Sequence, residues 1–181
     1  MKKKRHIYFF LPNFSIGGAG NSIFNICNEI KNSTYSIQII SIGKNHYKNS
    51  FKKIGIKTIE LSNQKKIISI LKIFFLIKKK SKNNEIIFVS NINYANVLSA
   101  IFLKNINNLK LILIERTPFQ ELEIFFNFKD LIKKKIIFYL AKIFYKRADY
   151  IIGNSYTVSS YVESKINQKV LTKYPIIKIS N

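Results

Sequence analysis

Short runs of β-branched and aromatic residues alternate along this chain with longer stretches whose apolar positions recur every three or four residues. Residues 6–11 form the first such run and read as a strand. An amphipathic helix is expected over about 21–31. Strands are expected over 36–42 and 54–61, the second alternating Ile54, Ile56 and Thr58. Helical spacing covers 64–80, 94–103, 131–147 and 156–166. Strands are predicted at 85–90, 109–114, 150–153 and 170–172.

The strands at 85–90 and 109–114 are apolar on successive positions, as in Ile86-Ile87-Phe88-Val89. A strand that alternates has one wet face; one that does not is covered on both, which is the habit of parallel sheets. Strands alternating with helices then predict βαβ units and a Rossmann-like, doubly wound α/β fold. The length of 181 residues fits one domain, and 47% hydrophobic residues suffice for its core.

Composition adds one anomaly. Lys and Arg number 31 against 9 Asp and Glu, a formal net charge of +22. Such a chain is drawn to anionic partners. Much of the excess is Lys beside abundant Ile and Asn, which also fits a general compositional bias. No zinc finger, helix-turn-helix or aromatic RNA-binding pattern is present, so nucleic acid is not expected as a partner. The lone Cys27 and the scattered His6 and His46 supply neither a disulfide framework nor a metal set. The basic start is followed by an apolar run of only 7–11 that stops at Pro12, too short for a signal segment. The longest apolar stretch, 67–77, is interrupted by Lys72, well short of the ~20 residues of a spanning helix. A cytoplasmic protein is expected, peripheral at most on the inner face of the plasma membrane.

Candidate chemistry gathers just after the strands, where open parallel sheets bind ligands. Gly17, Gly18, Ala19 and Gly20 follow the first. Asn91 follows the fourth. Glu115, Arg116 and Thr117 follow the fifth, and Asn154 and Ser155 the sixth. Glycines admit positive φ and close approach of a ligand, and a helix N-terminus favours phosphate. The spacing is neither G-x-G-x-x-G nor a Walker A loop, and a plain tight turn fits it as well. Arg116 can grip a phosphate or carboxylate with two N–H groups, and Glu115 can accept hydroxyls or take a proton. The same pair also fits a rim salt bridge, and Ser155 an N-cap.

Two helices carry lysine stripes. Lys65, Lys72 and Lys79 share one side of the helix at 64–80, with Ile67, Ile70, Phe74 and Ile77 opposite. Lys135, Lys142 and Lys146 share one side of the helix at 131–147, edged by Leu131, Phe138 and Tyr145, with Ile136, Leu140 and Phe144 expected to face the core. Lysine edged by aromatics suits an anionic bilayer, and equally a solvated helix face.

The order of these segments carries a resemblance. Gly17-Gly18-Ala19-Gly20 follows the first strand and opens a helix at Asn21. Leu111-Ile112-Leu113-Ile114-Glu115-Arg116-Thr117-Pro118 comes later. The helix ending Tyr145-Lys146-Arg147 runs into Ala148-Asp149-Tyr150-Ile151-Ile152, then Asn154-Ser155. Together they resemble the N-terminal, acceptor-side domain of glycosyltransferase family 4, whose members have the GT-B fold.

The resemblance implies a domain over 1–173, with 174–181 beginning an interdomain linker. It implies that Gly17, Gly18, Ala19 and Gly20 lie near a UDP- or GDP-sugar, the co-substrate of a complete enzyme with no other cofactor. Asn91, Glu115, Arg116, Thr117, Asn154 and Ser155 would line the cleft towards a glycan or lipid-linked acceptor. It raises the weight of Lys65, Lys72, Lys79, Lys135, Lys142 and Lys146 as a membrane-facing set. The family's Glu-x7-Glu motif belongs to a C-terminal domain that does not follow here. Many members carry a cleft His where Glu115-Arg116 stands, so no catalytic residue is assigned. The chain is expected to be a truncated acceptor-side domain of an enzyme of cell-surface glycan or glycolipid synthesis, without transfer activity alone. The rival reading is a standalone basic module, or a subunit of a split transferase with a separate C-terminal half, that docks on anionic membrane and binds a partner.

Overall fold

The computed structural model describes residues 4–61, 66–103, 105–117, 124 and 126–176, apart from the side chains of 66 and 67. Its strands are β1 (Lys4–Phe10), β2 (Ser36–Ser41), β3 (Lys57–Glu60), β4 (Asn84–Asn91), β5 (Leu109–Glu115), β6 (Tyr150–Gly153) and β7 (Leu171–Thr172). Between them run α1 (Gly18–Ile30), α2 (Lys48–Lys53), α3 (Lys66–Ser81), α4 (Asn93–Phe102), α5 (Phe128–Phe144) and α6 (Tyr156–Ile166). The sheet has seven strands in the order β3-β2-β1-β4-β5-β6-β7, which contains the Rossmann order. The α/β class expected from the pattern is the one observed.

The chain forms two compact units, one of residues 1–89, 105–110 and 175–181, the other of 90–104 and 111–174. In the first, β1 pairs in parallel with β2, and β2 with β3. Ile7, Tyr8, Phe9, Phe10 and Leu11 are all buried, which is what an apolar run without alternation requires of a strand covered on both faces. Ile23 and Cys27 of α1 and Ile70, Ile73, Phe74 and Ile77 of α3 join this core. Burial pushes the Cys27 thiol up to about 12.

Helix α2 was not expected. Its sequence, Lys-Asn-Ser-Phe-Lys-Lys, has no apolar period. One anchor holds it: Phe51 is fully buried, its ring edge-on to Phe14 at 5.8 Å and to Phe24 at 5.6 Å between centroids. The strand expected over 54–61 is correspondingly shorter. Ile54 caps α2, and Gly55 takes φ 77°, a left-handed turn glycine accepts without strain, before β3 starts at Lys57.

In the second unit β5 pairs in parallel with β6, and β6 with β7. Asp149 ties the chain to β5 twice: its Oδ2 accepts from Leu111 N at 2.7 Å and its N donates to Leu111 O at 2.9 Å. The Ala148-Asp149 motif thus has a structural use. A Cβ on Gly153, at the end of β6, would lie 2.8 Å from Ser159 N and 2.9 Å from its Cα. Glycine there lets α6 close onto the strand. Ser155 caps α6, its Oγ accepting from Val158 N at 3.2 Å, and Asn167 ends the helix at φ 54°.

Tyr174 is the last residue of the second unit. Pro175 and Ile176 group with the first, where Asn25 Nδ2 donates to Ile176 O at 2.9 Å. Among the described residues no helix is long and apolar enough to cross a membrane.

Candidate functional site

The glycine segment lies in the first unit, and its geometry differs from the expected loop. Gly18, Ala19 and Gly20 are the first turn of α1, which starts three residues earlier than the apolar period implied. Gly17 is the N-cap, in extended backbone, so none of the segment's glycines takes the left-handed conformation that only glycine accepts readily. Space requires glycine at only one of these positions. A Cβ on Gly17 or Gly18 would meet nothing within 4 Å, and both residues are exposed. Gly20 is different: its Cβ would lie 2.6 Å from Tyr47 Cε2 and 3.2 Å from Ser15 O.

Tyr47 escaped the sequence reading. Its hydroxyl donates to Gly17 O at 3.4 Å, while its own N donates to Asn45 Oδ1 at 2.9 Å. Glu60 holds that turn, accepting from Asn45 N at 3.0 Å and pairing with Lys48 at 2.7 Å. The Lys48 hydrogen bond holds the Glu60 carboxyl below its usual range. The result is a fixed helix N-terminus with no side-chain cap and no acidic residue in its first turn. Its open backbone N–H groups and positive dipole end suit an anionic or hydroxyl-bearing ligand.

The Glu–Arg step lies in the second unit, in a buried polar cluster. Glu115 has no exposed surface. Its Oε1 accepts from Asn96 Nδ2 at 2.7 Å and from the hydroxyl of Tyr145, which sits in a 3-10 turn after α5. Asn96 Nδ2 also donates to Ile114 O at 3.0 Å. Glu115 Oε2 and the side-chain carbonyls of Asn93 and Asn96 are buried with no hydrogen-bond partner among the described residues.

Desolvation pushes the Glu115 carboxyl up to about 7, against the opposing pull of the Tyr145 and Asn96 hydrogen bonds. The Tyr145 phenol is raised well above its usual value by burial and by the facing carboxylate. A protonated Glu115 supplies a donor in a cluster whose unmet atoms are all acceptors. Glu115 is therefore an interior group, and any part it takes in ligand binding passes through its neighbours. Tyr145, expected at the edge of a lysine stripe, is instead wholly buried and completes this cluster.

Arg116 turns outward from the same strand end and is half-buried. Its Nε and Nη2 both donate to Asn91 Oδ1, at 3.1 and 2.9 Å. That fork uses one edge of the guanidinium and leaves the Nη1–Nη2 edge for another acceptor. Among the described residues no carboxylate pairs with it, so the rim salt bridge open in the sequence is not formed. Desolvation lowers its pKa to about 10, and it stays a cation at neutral pH. Asn91 is fully buried, so its amide fixes the guanidinium rather than meeting a ligand.

The remaining candidates divide. Thr117 is partly exposed next to Arg116. Asn154 N donates to Glu115 O at 3.1 Å, tying the ends of β6 and β5 together, and Ser155 spends its hydroxyl as a helix cap. Lys72, Lys79, Lys135, Lys142 and Lys146 are exposed; Lys65 lies outside the described residues. Ile70, Phe74 and Ile77 are buried as expected, but Ile136 is 52% exposed, and Leu140 and Phe144 are only partly covered. The core-facing assignment of Ile136 is corrected, because α5 turns a different side inward. A cleft of about 460 Å³ lined by Asp149, Tyr150, Gln168 and Lys169 lies where β6 and β7 begin, at the opposite strand ends from Arg116 within this unit.

No known protein family and no curated protein matches the sequence. The fold does match solved structures. Against the Anabaena protein HepE, crystallised with UDP and glucose, the TM-score is 0.68 at 16% identity, covering 94% of this chain and 44% of that one. Against the lipopolysaccharide outer core galactosyltransferase WaaB in its apo form it is 0.65 at 14% identity, covering 97% and 47%. Against a glycosyltransferase from Rickettsia africae it is 0.62 at 20% identity, covering 96% and 43%. The chain thus has the fold of one Rossmann-like half of GT-B glycosyltransferases and spans less than half the length of each of these three proteins.

Proposed function

We propose that this chain is the acceptor-side half of a nucleotide-sugar-dependent glycosyltransferase that builds a cell-surface glycan or glycolipid, and that it transfers no sugar alone. The observation that carries the reading is the match of nearly the whole chain to less than half of two glycosyltransferases and of HepE, which was crystallised with UDP and glucose. The open first turn of α1 at Gly17, Gly18 and Ala19 is the donor-contacting element, with Gly20 packed on Tyr47 beneath it. On the acceptor side, Arg116 presents its unused edge to an anionic or hydroxyl group, Asn91 orients it, and Thr117 adds a hydroxyl. Glu115, Asn96 and Tyr145 form the buried support behind Arg116; Asn154 and Ser155 hold the neighbouring strand end. Transfer on this reading needs a second, nucleotide-sugar-binding half beside this one.

The test combines the purified chain with a polypeptide carrying the complementary GT-B half, radiolabelled UDP- and GDP-sugars, and a membrane lipid extract. Label entering glycolipid with the pair, and not with either part alone, is the expected result. Equal transfer by the 181-residue chain alone, or none by the pair, overturns the reading.

A further inference from the structure

Helix α5 is unusual in what it leaves outside. Ala141 is its one buried residue, yet Phe128, Ile132, Ile136 and Tyr139 are 73%, 43%, 52% and 65% exposed. At 3.6 residues per turn these four fall in an arc of about 80°, centred about 180° from Ala141. The apolar stripe is thus the far side of the helix, not a frayed margin of the packed side.

Its flanks are basic on both sides. Lys135 and Lys142 border the Phe128 edge, and Lys129 and Lys133 the Ile136 edge; all are exposed. The helix's one acidic residue, Asp130, lies towards the packed side and is paired with Lys134 at 3.1 Å. Lys134 Nζ also donates to Ile124 O at 2.6 Å and lies over the Phe126 ring. Ile124 and Phe126, 62% and 89% exposed, are therefore held beside the first turns of α5 on the side of Asp130 and Lys134, away from the stripe.

We infer that α5 is an interfacial helix that lies on an anionic lipid surface, its Phe128–Ile132–Ile136–Tyr139 stripe entering the headgroup boundary. The occupant follows from charge and composition. A narrow apolar stripe with aromatics at one edge and lysines on both flanks matches a layer that is apolar below and negatively charged above. The net charge of +22 adds long-range attraction to the same layer. Of the lysines singled out in the sequence, Lys135 and Lys142 border this surface; its apolar centre was not legible there.

The test is flotation of the 181-residue chain with zwitterionic vesicles, plain or containing phosphatidylglycerol. Binding to the anionic vesicles, falling with salt, is expected. The double variant Ile132→Ser/Ile136→Ser, at exposed positions, should keep its circular dichroism and lose about tenfold or more in partitioning. Lys129→Gln/Lys133→Gln should weaken anionic binding and flatten its salt dependence. No binding to anionic vesicles, or equal binding by the serine variant, overturns the inference. So does a dimer that the same serines dissociate, since a second copy would then be the occupant. The readout needs no sugar transfer, so it stands or falls apart from the proposed function.

Discussion

Tyr145 donates its phenolic proton to Oε1 of Glu115, and neither side chain has any exposed surface. The pair joins the turn after α5 to the end of β5. Arg116 is the next residue, so the contact sets where the guanidinium leaves the sheet. Burial without water makes such a pair strong when complete and costly when broken.

Tyr145→Phe removes the donor and keeps the ring. The carboxyl then loses one of the two hydrogen bonds that hold its pKa down, so it should titrate above the value of about 7 in the parent. Stability should fall by about 1–3 kcal/mol. Urea unfolding measures the second effect and carboxyl-carbon NMR titration the first; an unchanged Glu115 titration contradicts the assignment.

The same carboxyl gives a pH dependence of defined sign. Its folded pKa of about 7 lies above the unfolded value of about 4.3. Between the two, the folded chain holds a proton the unfolded chain has released. That contribution is fully present below the unfolded value and is lost as pH rises through about 7. The loss should be about 4 kcal/mol. Glu115→Gln, which keeps the acceptor and cannot ionise, should lose stability less steeply. Urea midpoints of both proteins at pH 5 and pH 8 measure the difference.

Gly18→Ala and Gly20→Ala separate the two uses of glycine in the first turn of α1. The first adds a methyl to open space in a helix and should be neutral or stabilising by up to about 1 kcal/mol. The second drives a methyl into Tyr47 and against Ser15 O, and should cost about 1–3 kcal/mol. Denaturant unfolding ranks them. Gly18→Ala should also weaken donor use by the reconstituted transferase, through crowding of the N–H groups it presents.

Arg116→Gln should leave folding nearly intact and lower transfer by the reconstituted pair by about 10–100-fold, the worth of one charge-assisted contact. Arg116→Lys should restore little, since an ammonium cannot grip Asn91 Oδ1 with one edge and a ligand with the other. Initial-rate measurements with varied acceptor decide it; full activity in either variant removes Arg116 from the site.

Much of the architecture was legible because two-sided burial writes itself into a strand. Residues 7–11, 86–89 and 111–113 have no polar alternation, and a parallel sheet follows. Helix α2 was not legible, because Phe51 alone anchors it and one residue has no period. The start of α1 was misplaced because its first turn is glycine and alanine, which carry no amphipathic signal. The candidate site was legible only in its chain positions. That Asn96 and Tyr145 close on Glu115 depends on side chains 19 and 30 residues away, and no local pattern encodes such a meeting. The outer stripe of α5 escaped for a related reason: a helix apolar on two opposite sides shows periodicity without saying which side packs.

Cys27 is the chain's one sulfhydryl, shut inside the first unit with its ionisation suppressed to about 12. A thiol so protonated and enclosed is inert to alkylating dyes at neutral pH. The parent sequence is thus a silent background for labelling, and a cysteine placed at position 136 or 139 would be the sole reactive handle. An environment-sensitive fluorophore there would show by its blue shift whether that helix leaves water.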